Sequence, residues 1–155
     1  MDATEKLVAI HELMQLKARY FYYLDHKMWD EWVGQCTEDG PLEYDMSPTA
    51  GGQDPNTIGP IAGRAAIREH LADHVGPMRT VHHGHTPIFT FQSDTEASGI
   101  WAMQDIVENN QVRALGHGHY HETYRKEADG QWRFASIHLT RLRVEVNSLG
   151  DWPVH

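Results

Sequence analysis

Hydrophobic residues near the start of the chain recur at three- and four-residue steps, the pattern of a helix with one broad apolar face. This pattern predicts a helix from about Glu5 to Leu24, and Asp2 followed by Glu5 resembles a capping box at its start. The apolar face of this helix contains Leu7, Ile10, Leu13, Met14, Leu16, Tyr20, Phe21 and Leu24.

Shorter elements follow this first helix. Helices are expected over residues 29–36 and 64–75, because each stretch ends at a Gly-Pro turn signal. Residues 42–46 could form a short strand. Residues 47–56 are rich in Gly, Pro, Ser, Thr and Asn, so we expect a loop that is long enough to serve as a lid or an interface segment.

From His82 onward the hydrophobic period changes to two, which is typical of strands. Four strands are predicted, joined by turns at residues 93–94, 108–110 and 128–130, and they cover residues 87–92, 98–107, 113–126 and 131–146. Helices followed by antiparallel strands predict an α+β fold with helices on one face of a curved sheet. Such a sheet leaves an open-ended cavity, and we expect one domain over residues 1–155.

Composition narrows the classes of function. The net charge of −9 argues against nucleic-acid binding, because Lys and Arg drive that affinity. No apolar stretch approaches the roughly 20 residues that span a bilayer, and the acidic N-terminus lacks a secretion signal. Cys36 is the only cysteine, so no intrachain disulfide is possible, and it is expected in the core. These features favour a cytoplasmic protein without membrane contact.

Two aspartates and a tyrosine are candidate functional residues. Asp105 shares a strand face with Trp101 and Met103, so it is either an acid in an apolar setting or a solvated residue near a strand end. Asp25 closes the first helix, five residues after Tyr20. Five residues correspond to roughly 140° around a helix, so the two converge only if the helix unwinds near Leu24. The tyrosines around Tyr20 are more often core than catalytic residues.

The chain has 12 histidines, and six lie in two runs, at residues 82, 83 and 85 and at residues 117, 119 and 121. Histidine serves as a general base and as a metal ligand. The second run places three imidazoles on one strand face, where two of them with His82 or His85 could form a zinc site. A wet polar face or a subunit contact is the alternative, and we expect no metal, because no second-shell partners are identified.

Several local patterns together resemble the SnoaL-like branch of the NTF2-like superfamily. The patterns are Tyr20-x4-Asp25, residues 29–32 (WDEW), Ile61-x-Gly63-Arg64-x2-Ile67, residues 80–83 (TVHH), Ala97-x-Gly99-x-Trp101 with Asp105, Gly118-x-Tyr120-x3-Tyr124, and residues 129–134 (DGQWRF). The resemblance covers about residues 5–143 and implies a cone formed by N-terminal helices on a strongly curved, mostly antiparallel sheet.

Within that branch the chain resembles scytalone dehydratase, bile-acid 7α-dehydratase and hexachlorocyclohexane dehydrochlorinase, which are cofactor-free lyases. The resemblance implies that Asp25 and His82 form a catalytic pair. Tyr20 would match a tyrosine of the bile-acid enzyme, and Asp105 would match an aspartate in its pocket. Arg141 would match a late arginine of that enzyme. The dehydrochlorinase has lysine at the Tyr20 position, and residues 47–56 and the 117–121 histidines depart from the family pattern.

The resemblance implies that His82 removes a carbon-bound proton while Asp25 fixes its tautomer. His83 would then face away from the pocket, because neighbouring residues on an extended segment alternate in direction. Tyr20 would donate to a developing oxyanion or departing hydroxyl, and a protonated Asp105 would be a second donor. We further expect the substrate to contact Arg141, Trp101, Tyr120, His119 and Trp32.

The expected function is therefore dehydratase-type elimination, without a cofactor, on a hydrophobic cyclic substrate such as a steroid or polyketide. The protein is expected to be a homodimer or homotrimer. Alternatives are an isomerase or polyketide cyclase that uses Asp25 or Asp105 as its base, a non-catalytic ligand-binding or subunit-contact module, and a metal hydrolase.

Overall fold

The computed structural model describes residues 1–49 and 52–149. The first helix, α1, spans Ala3–Asp25. Its capping box is confirmed, because the Glu5 amide donates to Asp2 Oδ1 at 2.8 Å and the Asp2 amide donates to Glu5 Oε2 at 2.7 Å. This reciprocal pair satisfies two amides that a helix start leaves without intrahelical partners.

Two shorter helices complete the helical layer. Helix α2 spans Trp29–Val33 and is shorter than predicted, because the chain turns at Gly34 and pairs with the sheet through a bridge between Cys36 and Phe134. Helix α3 spans Arg64–His74, close to its predicted bounds. None of the helices in the described part of the chain is long and apolar enough to cross a membrane.

One sheet of six strands forms the other layer, in the order β2-β1-β6-β5-β4-β3. The strands are β1 Pro41–Tyr44, β2 Ile58–Ala62, β3 Arg79–Phe91, β4 Glu96–Glu108, β5 Val112–Lys126 and β6 Trp132–Ser148. All neighbouring pairs are antiparallel except β1 and β6, which are parallel. The α+β prediction is confirmed, and the sheet stays open rather than closing into a barrel.

The structure corrects two strand predictions. Strand β2 was not predicted, since Gly59 and Pro60 interrupt any hydrophobic alternation. Strand β3 begins at Arg79 rather than residue 87, and an irregularity between Gly84 and Pro87 divides it into two stretches of continuous pairing with β4. The early part of β3 therefore belongs to the sheet and carries the first histidine run.

The core lies between α1 and the inner face of the long strands. Along β4, the residues from Gly99 to Val107 alternate as predicted, with Trp101, Met103 and Asp105 directed inward. The helix contributes Ala9, Leu13, Leu16, Tyr20 and Leu24, and the sheet contributes Trp101, Met103, Tyr120, Tyr124, Phe134, Ile137 and Leu139. Cys36 is buried in this core, as predicted.

A polar network crosses this core. The Lys17 ammonium donates to Glu122 Oε1 at 2.5 Å, and both residues are almost fully buried. Glu122 Oε2 accepts from the Tyr124 hydroxyl, which in turn accepts from Trp101 Nε1 at 2.9 Å. The ammonium also lies 3.4 Å from the centre of the Tyr120 ring. Burial lowers the pKa of Lys17, and the Glu122 carboxylate opposes this shift. The pair therefore anchors α1 to β5.

Removing one partner of this pair tests its contribution to stability. We expect Lys17→Met to lower the free energy of unfolding by about 3–5 kcal/mol, because it leaves the Glu122 carboxylate buried without a cation. The double variant Lys17→Met/Glu122→Gln should recover part of this loss, since the amide keeps an acceptor for Tyr124. Urea unfolding measures both values, and a single-variant loss below about 1 kcal/mol would contradict a buried ion pair.

Candidate active site

A cavity of about 430 Å³ lies between the inner face of the sheet, the end of α1 and helix α3. Most of its wall is apolar and includes Leu24, Leu42, Ile58, Leu71, Val107 and Leu139. The flanks of the 47–56 segment reach this wall through Met46 and Ile58, while residues 50 and 51 lie outside the described part of the chain. Its volume suits a small organic ligand that is mostly hydrophobic.

Asp25 contacts His82, which lines this cavity. Helix α1 presents Asp25 at its last residue, and β3 presents His82 among the cavity-lining residues. Nδ1 of His82 lies 2.7 Å from Asp25 Oδ1, and the His82 amide donates to Asp25 Oδ2 at 3.0 Å. The Phe21 ring lies parallel to the imidazole at 6.4 Å. The sheet therefore holds the ring against the helix end.

This contact determines the proton arrangement on the ring. An ionised carboxylate can only accept, so Nδ1 carries the proton that is donated to Asp25. Burial works to raise the pKa of Asp25, but hydrogen bonds from His82 and Thr80 hold it below its ordinary value of 3.8. Asp25 is therefore a carboxylate at neutral pH, and Nε2 is the nitrogen left to accept a proton in the cavity.

A second charged pair lies beside the first. Asp105 is the direct neighbour of His82 across β3 and β4, and its Oδ1 accepts from Arg141 Nη1 at 2.9 Å. Arg141 also donates from Nε to the Asp45 carbonyl at 3.3 Å. The prediction of Asp105 as a second donor, kept protonated by apolar neighbours, was based on the residues of β4 alone. Arg141 on β6 supplies a guanidinium partner that strand periodicity could not show.

Tyr20 and Tyr120 form part of the cavity floor, with ring centres 5.6 Å apart. Burial raises the pKa of both hydroxyls, so both keep their protons at neutral pH and can donate. Helix α1 does not unwind near Leu24, contrary to the condition set for convergence of Tyr20 with Asp25. Tyr20 lines the cavity itself, whereas Asp25 is connected to it through the His82 ring.

The structure adds Tyr44 and His70 to the cavity wall, and the sequence had indicated neither. The Tyr44 hydroxyl lies 2.6 Å from Nε2 of His70. Burial lowers the pKa of His70 and raises that of Tyr44, which favours donation from the hydroxyl to a neutral ring. Neither residue lies in a recognisable motif; only the α3 spacing of His70 and His74, i and i+4, could have drawn attention to this wall.

Three of the expected substrate contacts lie outside the cavity. Trp32 is buried against Tyr20, with ring centres 5.0 Å apart, and Trp101 donates its indole proton to Tyr124 in the core. His119 belongs to the outward face of β5, because the inward positions of this strand are Gly116, Gly118 and Tyr120. Of the five expected contacts, Arg141 and Tyr120 line the cavity.

The 117–121 histidines point away from the cavity. His121 lies beside His138 on the same outward face, with ring centres 6.5 Å apart, and its Nε2 contacts the Thr140 hydroxyl at 3.2 Å. Residues 1–49 and 52–149 contain no group of three or more His, Cys, Asp or Glu side chains arranged to hold a metal ion. His83 is exposed on the outer face of β3, opposite in direction to His82.

The fold is that of a known family. Residues 5–138 match the SnoaL-like domain, which is most of the chain, so this chain belongs to the SnoaL-like family of the NTF2-like superfamily. This confirms the family resemblance. It also accounts for a pocket formed by α1 and a curved sheet.

Solved structures share the architecture. A candidate scytalone dehydratase from Novosphingobium aromaticivorans superimposes with a TM-score of 0.74 at 24% identity, over 98% of this chain and 93% of that one. A protein of unknown function from Mycobacterium tuberculosis superimposes with a TM-score of 0.71 at 25% identity, over 91% of this chain and 76% of that one. A hexachlorocyclohexane dehydrochlorinase from Novosphingobium barchaimii superimposes with a TM-score of 0.75 at 15% identity, over 98% of this chain and 97% of that one.

Gly116 makes room for the Asp105–Arg141 pair, and this can be tested. A Cβ at this position would lie 2.2 Å from both Arg141 Nη1 and Asp105 Oδ1. We expect Gly116→Ala to separate the pair and to lower the free energy of unfolding by about 1–3 kcal/mol. Gly52→Ala is the matched control, because a Cβ there meets nothing within 4 Å. Equal urea midpoints for the two variants would show that the pair does not need this space.

Proposed function

We propose that this protein is a lyase of the dehydratase type, which eliminates water or a similar leaving group from a hydrophobic cyclic molecule without a cofactor. The observation that carries the proposal is the Asp25–His82 contact at the wall of an apolar cavity. The family includes proteins of several functions, so the site rather than the fold supports this reaction. Two of the similar structures are described as a dehydratase and a dehydrochlorinase, both lyases, which supports the same reaction class.

His82 would act as the general base. Its Nε2 takes a proton from a substrate carbon, the C–H electron pair becomes the new double bond, and the bond to the leaving group breaks. Asp25 orients the ring and stabilises the imidazolium that forms. Only 7% of the His82 side chain is exposed, so bulk water competes little for the ring.

The other polar groups of the cavity would receive the developing charge. Arg141 retains guanidinium protons beyond those it gives to Asp105 and Asp45, and it can bind a substrate oxygen. Tyr20 and Tyr120 line the same cavity, and their hydroxyls interact with each other, so we propose that the tyrosine pair supplies one phenol proton to the ligand. The proton that His82 has taken passes to the departing hydroxide, so water is the second product and the ring is neutral again. Steroid-like or polyketide-like rings suit the apolar walls between these groups.

An isomerase or cyclase that uses a carboxylate as its base is less supported by the contacts. Asp25 accepts from His82 and Thr80, and Asp105 accepts from Arg141. A carboxylate engaged by several donors is a poor proton acceptor. His82 is the better base. Elimination and isomerisation are distinguished by the product, because only elimination removes a leaving group.

A panel of hydroxy-steroids and cyclic β-hydroxy ketones tests the proposal, with product mass as the readout. We expect loss of water from at least one compound, and a fall in kcat of about 10²–10⁴-fold in His82→Ala, the range that general bases contribute. His83→Ala is the matched control and should stay within about twofold, because its ring is exposed on the other face of β3.

Two results would contradict the proposal. One is full turnover in His82→Ala, which would remove the base from this position. The other is exchange of a substrate proton with deuterated solvent without loss of the leaving group, so that the product mass rises only by the incorporated deuterium, which would favour the isomerase. Circular dichroism of each variant separates a loss of activity from a loss of fold.

A further inference from the structure

Lys27 adopts an unusual backbone conformation directly after α1. Its φ is 61°, and it is the one residue other than glycine with a positive φ in the described ranges. The left-handed region is unfavourable for a residue that has a Cβ, and glycine usually occupies this position after a helix. A lysine held there needs a compensating contact.

That contact is a chain of hydrogen bonds to the candidate base. Lys27 Nζ donates to Thr80 Oγ1 at 2.9 Å, and Thr80 Oγ1 donates to Asp25 Oδ1 at 2.9 Å. An ammonium can only donate, so the single hydroxyl proton of Thr80 must point to Asp25. Thr80 is buried, which limits replacement of these bonds by water.

The charges around His82 explain why these hydrogen bonds matter for the candidate base. Asp25 faces the ring from α1, and Asp105 faces it from β4. Two uncompensated carboxylates would hold an imidazole in its protonated form, which cannot act as a base. Arg141 on β6 pairs with Asp105, and Lys27 places a second cation beside Asp25. The remaining titratable neighbours in the cavity are His70 and His74 on α3 and the hydroxyls of Tyr20, Tyr44 and Tyr120.

We propose that Lys27 is a positioning residue, which acts through Thr80 and Asp25 to keep the His82 ring neutral and able to accept a proton. The proposal rests on the role of His82 as the base. The Lys27 ammonium offsets the Asp25 charge without contacting the imidazole. Asp25 therefore still orients Nδ1 of His82 but stabilises the imidazolium less. Burial lowers the pKa of Lys27 and the Asp25 carboxylate opposes that shift, as expected of an ammonium held close to a carboxylate.

The simpler role for Lys27 is structural, because a cation near a helix C-terminus is favourable in itself. Substitution by glycine separates the two roles. Glycine relieves the backbone strain and removes the charge, so Lys27→Gly should fold at least as stably as Lys27→Met. If the charge acts on His82, both variants should change the titration of the ring in the same direction.

The test is an NMR titration of the histidine rings in the full-length protein. The His82 signal is assigned by its absence in His82→Gln. We expect its titration midpoint to move to higher pH by about half a unit in Lys27→Met and Lys27→Gly, because a nearby positive charge disfavours the imidazolium. Lys27→Arg should stay close to the wild type.

Lys6→Met is the matched control for the loss of one positive charge. Lys6 lies near the start of α1, about 30 Å along the helix from Asp25, which exceeds the screening length of about 8–10 Å. This variant should leave the His82 midpoint unchanged. An unchanged midpoint in both Lys27→Met and Lys27→Gly, or an equal shift in Lys6→Met, would overturn the proposal.

The titration needs no substrate, so it is independent of whether elimination is found. If the panel of compounds gives no product but the midpoint moves, the Lys27 coupling stands and the proposed reaction fails. If a substrate is found, the acidic limb of kcat/KM against pH should move to higher pH in Lys27→Met. A purely structural role would lower activity without moving this limb.

Discussion

The contact between Asp25 and His82 joins the end of α1 to an edge strand of the sheet, and the arrangement of the site depends on it. Asp25 accepts from the His82 ring, the His82 amide and the Thr80 hydroxyl. These bonds use the same carboxylate to fasten the helix to β3 and to set the direction of an imidazole. The packing of α1 on the core therefore fixes the geometry of the site as well as the stability of the fold.

Around this contact, the cavity combines apolar walls with compensated charges. Asp105 is matched by Arg141, and the Lys17–Glu122 pair lies beneath the Tyr120 ring. Charges that are removed from water are tolerated when partners satisfy them. The polar groups are thereby held in place by one another, and in the proposed reaction an imidazole nitrogen, a guanidinium and the tyrosine pair act on the ligand.

The first helix, the alternation in β4 and the Asp25–His82 pairing could all be anticipated, because each depends on local spacing or on a motif shared with the family. The partner of Asp105 could not be anticipated, since Arg141 lies 36 residues away and meets it only through sheet register. The histidines at 117, 119 and 121 were candidate metal ligands, but they lie on the outward face of β5. The residues that alternate with them face the cavity side. Gly116 gives space to a charged pair, and Tyr120 lines the floor. Strand periodicity separates the two faces of β5 but does not say which is covered by helices.

The tautomer of the His82 ring tests the central claim most directly. Long-range proton–nitrogen correlation spectra, recorded at a pH where the ring is neutral, distinguish a protonated Nδ1 from a protonated Nε2. If Asp25 holds the ring as described, Nδ1 carries the proton, Nε2 is free, and the preference weakens in Asp25→Asn. A ring protonated at Nε2 would have no lone pair to offer the cavity, and the proposed base would be contradicted.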